Sequence, residues 1–96
     1  MAAGQGRLGL GVTYRIELRP AAMRALRKID TRDRARIQAA ISLLAVDPRP
    51  PGARTLQGRD GLRVRVGNYR ILYTVEDQVL LVVVVTLGHR RDVYER

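Results

Sequence analysis

The chain has no cysteine, no phenylalanine and no tryptophan, with one lysine, one histidine and one serine among its 96 residues. The missing cysteine excludes disulfides and thiolate metal sites, and removes any argument for an oxidising compartment. A lone His89 makes a histidine metal cluster implausible. Ser42 falls inside a helical pattern with no nucleophile elbow around it, so serine hydrolase chemistry has no foothold. The acids are scattered, with no pair poised for glycoside or two-metal chemistry, and there is no P-loop. The longest apolar run, residues 79–85, is seven residues; a spanning helix needs about 20. With no signal-peptide pattern either, a cytoplasmic location is expected. The only aromatics are Tyr14, Tyr69, Tyr73 and Tyr94, and an aliphatic core follows as the expectation.

Positive charge is abundant. Eighteen basic residues against nine acidic ones give +9, and seventeen of the eighteen are arginine, Lys28 being the exception. Such a surface attracts polyanions, either nucleic acid or an acidic protein. Arginine also grips phosphate through paired hydrogen bonds, although a genome rich in G and C would favour arginine over lysine everywhere.

Residues 1–12 are rich in Gly and Ala without periodicity. Their Gly4, Gly6 and Gly9 spell G-x-G-x-x-G, but no strand precedes it, so a disordered or cloning-derived tail is expected. From residue 13 to 96 the pattern is that of one domain. Residues 13–18 alternate, with Tyr14, Ile16 and Leu18 on one side, as in a half-buried strand. Pro20 suits the first turn of a helix, and Met23, Leu26 and Ile29 give it an apolar side ending near Ile29. Asp30 or Thr31 caps a second helix whose apolar stripe is Ile37, Ala40, Ile41 and Leu44. Asp47-Pro48-Arg49-Pro50-Pro51-Gly52 stops it.

After that break the period becomes two. Leu62, Val64 and Val66 alternate with Arg63 and Arg65, Gly67-Asn68 forms a tight hairpin turn, and residues 69–75 return as a strand. Glu76-Asp77 turns again, and residues 78–87 form a last strand apolar on both faces, which belongs inside a sheet. Gly88 is expected to end the sheet. The order is β-α-α-β-β-β: an α+β fold of four strands with helices packed on one face.

Arg63 and Arg65 project from one side of one strand, and Arg70 enters the neighbouring strand just beyond the turn. Arg90 follows the last strand, beside His89 and near Tyr94. Residues 62–73 hold three arginines and no acid. Like charges side by side on a sheet cost stability, and paired hydrogen bonds from such a cluster suit phosphoryl oxygens. Tyr94 reads either as a lid over the core or as a residue that stacks on a base or assists proton transfer. His89 reads either as a solvated residue or as a group titrating near neutrality in a site.

The segment Leu62-Arg63-Val64-Arg65-Val66-Gly67-Asn68-Tyr69-Arg70-Ile71-Leu72-Tyr73, the element order and the ending Gly88-His89-Arg90-Arg91-Asp92-Val93-Tyr94 resemble the RelE/ParE superfamily of bacterial type II toxins. The resemblance to the RelE branch implies an mRNA endoribonuclease acting in the ribosomal A site and neutralised by a RelB-like antitoxin. It implies cleavage by the ribose 2′-OH without metal or cofactor, with Arg63, Arg65, Arg70, Arg90 and Tyr94 at matching positions. The family's further basic position falls on Gln57, and its frequent lysines are Arg63 and Arg65 here. Arginine is a poor proton acceptor, so proton transfer is weakly assisted, or falls to His89, or to the ribosome. The ParE branch shares the fold and traps DNA gyrase without cutting RNA. The His-Arg-Arg-Asp ending fits that branch, whereas Tyr94 and the Arg63/Arg65 pair fit RelE better. A generic RNA-binding module would be expected to show stacking aromatics that the chain lacks.

Overall fold

A computed structural model describes residues 13–89 and Arg91. Residues 1–12, Arg90 and Tyr94 lie outside the described residues. The expectation of a disordered tail and two of the site residues therefore fall outside this description.

The chain forms β1 (Arg15–Leu18), α1 (Pro20–Arg27), α2 (Thr31–Val46), β2 (Arg54–Thr55), β3 (Leu62–Val66), β4 (Tyr69–Glu76) and β5 (Leu81–His89). One sheet runs in the order β1-β5-β4-β3-β2, with β1 parallel to β5 and every other pair antiparallel. The expected α+β architecture is observed, with five strands rather than four. The extra strand is two residues long, too short to show any alternation.

Local chemistry sets the boundaries. Pro20 opens α1, where its missing N–H is not needed. Lys28 and Ile29 then tighten the end of α1 through bonds to the Ala25 and Leu26 carbonyls, so the helix stops two residues before the expected Ile29. The Asp30 carboxylate accepts a hydrogen bond from the Asp33 N–H (2.9 Å) and caps α2. Gly67 turns the β3–β4 hairpin at φ +60° with no positive φ at Asn68, a backbone twist that suits the strands on either side. β5 begins at Leu81 rather than Gln78 because Asp77–Val79 makes a 3-10 turn. It also continues through Gly88 to His89, so Gly88 does not end the sheet.

Both helices cover one sheet face. Ala22, Ile29, Ile37, Ile41 and Leu44 pack there against Ile71, Tyr73, Val82, Val84 and Leu87. The aliphatic expectation fails at Tyr73, whose side chain is fully buried. Its hydroxyl donates to the Pro48 carbonyl (2.8 Å), which satisfies the polar tip of an otherwise apolar ring. Burial pushes the Tyr73 hydroxyl up to about 12. Among the described residues, no helix is long and apolar enough to cross a membrane.

Candidate functional site

The other sheet face carries the arginines. Arg63 stands opposite Arg54 on β2 and Leu72 on β4, and Arg65 stands opposite Arg70. Residues directly opposed in a ladder share a face. Four arginines, Arg54, Arg63, Arg65 and Arg70, therefore occupy one end of the face turned away from the helices, in two directly opposed like-charge pairs. Gly88 lies beside Arg70 on β5 and adds no side chain there. Among the described residues, the acids of this face sit elsewhere, with Glu76 at the far end of β4 and Glu17 paired to Arg15 on β1 (3.8 Å). Among the described residues, Arg54 and Arg65 make no ion pair. A shallow groove of about 460 Å³ is lined by Pro51, Gly52, Arg54, Arg63, Val64 and Arg65.

A small apolar tie holds this arrangement. Leu56 packs on the fully buried Leu72 on the arginine side of the sheet, and the Leu56 N–H donates to the Gly61 carbonyl (3.0 Å). Gly61, at φ +128°, permits the close approach. A Cβ there would stand 3.0 Å from both Leu56 Cδ1 and the Tyr73 carbonyl oxygen. The tie keeps β2 against β3 and so holds Arg54 beside Arg63. Arg54 was missed by sequence reading because no periodic signal marks a two-residue strand.

His89 is not brought to the arginines. It pairs in register with Tyr69 and meets that ring edge-on at 5.9 Å between centroids, and Tyr69 packs against the helix-side core. The cause is a register irregularity facing Leu72/Tyr73 in the β4–β5 ladder. One extra residue on β5 swaps the faces beyond it. Val82 and Val84 face the helices before the bulge, and Leu87 and His89 do so after it. Among the described residues, no group of three His, Cys, Asp or Glu could hold a metal ion.

A polar clamp ties the start of β1 to the loop after α2. The Tyr14 hydroxyl donates to Asp77 (2.7 Å), and Arg49 makes two hydrogen bonds to the same carboxylate (3.1 and 2.9 Å). Arg49 first, then Tyr14, hold the Asp77 carboxyl at about 2.

A family model for the ParE toxin of type II toxin–antitoxin systems matches residues 16–94. The chain belongs to that family. It is a toxin of a type II toxin–antitoxin system, within the RelE/ParE superfamily and with a RelE-like fold. Among solved structures it resembles a chain of the RelBE2 toxin–antitoxin complex from Mycobacterium tuberculosis, at 29% identity and a TM-score of 0.71. The match covers 82% of this chain and 93% of that one. A chain of the archaeal RelE–RelB complex from Pyrococcus horikoshii OT3 is 24% identical, with a TM-score of 0.71 and coverages of 82% and 97%. A mutant E. coli RelE toxin in the free state is 21% identical, with a TM-score of 0.67 and coverages of 84% and 87%. No curated protein matches the sequence significantly.

Proposed function

We propose that this toxin is an endoribonuclease that cuts mRNA on the ribosome, in the cytoplasm, with the arginine face as its active surface. The two like-charge pairs, Arg54 with Arg63 and Arg65 with Arg70, carry the reading. Guanidiniums gathered on one face offer paired hydrogen bonds to phosphoryl oxygens, which suits a phosphate backbone entering there. In this reading the ribose 2′-OH attacks the adjacent phosphorus, and the O5′–P bond breaks to leave a cyclic phosphate and a 5′-hydroxyl. Arg63, Arg65 and Arg70 stabilise the charge that builds on the phosphoryl oxygens, each contributing on the order of 3 kcal/mol to the lowered barrier. The nucleophile belongs to the substrate, so alignment rather than activation of a protein group is the main contribution. Arg90 and Tyr94 complete the site by resemblance to the RelE branch. His89 faces the helices, so taking the 2′-OH proton and returning one to the departing O5′ both fall to the ribosome or the RNA. A RelB-like antitoxin is the proposed partner, in keeping with the RelE–RelB complexes that share the fold.

The ParE name of the matching family favours a second reading, in which the same cations bind DNA gyrase and trap it on DNA. Primer extension on mRNA in a translating extract separates the two, comparing wild type with Arg65→Ala and Arg70→Ala. Cuts that vanish in both variants support the nuclease. Intact mRNA together with inhibited gyrase supercoiling moves the toxin to the second reading.

A further inference from the structure

A second cavity lies on the helix side of the sheet. It runs between α1 and the end of β5, encloses about 620 Å³, and counts Arg24, Ala25, Lys28, Tyr69, Leu87 and His89 in its lining. Its walls are of two kinds. α1 supplies Arg24 and Lys28, both exposed. The sheet supplies two half-buried rings, Tyr69 and His89, inclined at 68° to each other. Asp30 lies on the rim with one oxygen engaged in capping α2. Asp33, paired with Arg36 (3.5 Å), also reaches the Tyr69 hydroxyl, and burial together with these two carboxylates raises the Tyr69 pKa. Cations with π-faces in one open groove are what sequence-tolerant binding of single-stranded nucleic acid requires.

The position matters as much as the composition. Val66, Tyr69 and His89 form the register row next to Arg65, Arg70 and Gly88. The cavity therefore opens at the arginine-rich end of the sheet, on the opposite face. Gly88 puts no side chain between the two.

We propose that this groove is a second RNA subsite, where a base lies against Tyr69 and His89 and its phosphate is held by Arg24 and Lys28. One strand then passes from the arginine face around the end of β5. The assignment rests on the RNA reading of that face and extends it to flanking nucleotides.

The test is fluorescence anisotropy with two labelled single-stranded oligoribonucleotides, one of about three nucleotides and one of about nine, a length within the range of single-strand sites. The proteins are the full-length wild type, the Arg24→Ala/Lys28→Ala double variant, His89→Ala and Arg65→Ala. Arg24 and Lys28 are exposed, so their removal spares the core. The wild type should bind the longer RNA about tenfold more tightly than the shorter, the scale of one base–aromatic stack. The double variant and His89→Ala should lose most of that gain while binding the short RNA unchanged. With two phosphate-holding cations removed, the double variant's salt slope on the longer RNA should be lower by about 1.4. No length-dependent gain, or equal loss on both lengths, overturns the proposal. So does unchanged RNA binding with weakened antitoxin binding, which would make the groove a protein-docking site. Failure of the underlying reading shows separately, as Arg65→Ala binding the short RNA as well as wild type does.

Discussion

Arg65→Thr should make the free toxin more stable and less active at once. Arg65 is exposed, stands directly opposite Arg70 and makes no ion pair among the described residues. Like charges opposed across two strands are destabilising on the scale of a favourable cross-strand pair, roughly 0.2–1 kcal/mol, and threonine keeps the preference for extended backbone. With about 0.5 kcal/mol recovered, and roughly 4–8 °C per kcal/mol for a chain of this size, Tm should rise by about 2–4 °C. The repulsion acts in solvent, where screening extends over about 10 Å at 0.1 M salt. Raising salt should therefore lift the wild type toward the variant and narrow the gap. Calorimetry at two ionic strengths reads both effects, and mRNA cleavage measured on the same preparations should fall by about a hundredfold. A lower Tm in Arg65→Thr, or a gap that ignores salt, would show that this arginine supports the fold. The case for a face strained in favour of binding would then collapse.

Tyr73→Phe should cost about 1 kcal/mol in a denaturant titration, because it removes the buried hydrogen bond to the Pro48 carbonyl; a neutral result would mean that this bond adds nothing net. The Tyr73 pKa is raised from 10.0 to about 12, so its contribution is complete below pH 10 and lost as pH climbs toward 12. In wild type this shows as an alkaline fall in stability that Tyr73→Phe should lack. Asp77 has the opposite sign. Its carboxyl is lowered from 3.8 to about 2, so its contribution is complete above about pH 4 and lost as pH falls toward 2. Asp77→Asn and Arg49→Ala should both flatten that acid limb, and an unaltered limb in either variant would remove the clamp from the account.

Most of the fold is legible because burial writes its period into the chain. The 3.6-residue stripe of α2 and the alternation of β3 are visible in the residues, and the Gly67-Asn68 turn fixes the register between β3 and β4. That register brings Arg63, Arg65 and Arg70 to one face, as their spacing implies. Three features escape such reading, each for a physical reason. β2 is too short to alternate, so Arg54 joins the face unannounced. Tyr73 is core because Pro48, 25 residues away, offers its hydroxyl a carbonyl. The bulge on β5 replaces strict alternation, turning Leu87 and His89 to the helices and Gly88 to the arginines. Counting by twos from Val82 would have placed His89 in the site.

The most direct test of the central claim is cleavage of a defined mRNA on programmed ribosomes, with a single 2′-deoxynucleotide at the cut position. Attack by the 2′-OH predicts that the all-ribose mRNA is cut to a 5′-hydroxyl fragment and a fragment ending in a cyclic or 3′-phosphate. The deoxy mRNA should stay intact at that position, and Arg70→Ala should leave both uncut. Equal cleavage of the two mRNAs would contradict the chemistry, and no cleavage of either by the active toxin would contradict the nuclease itself.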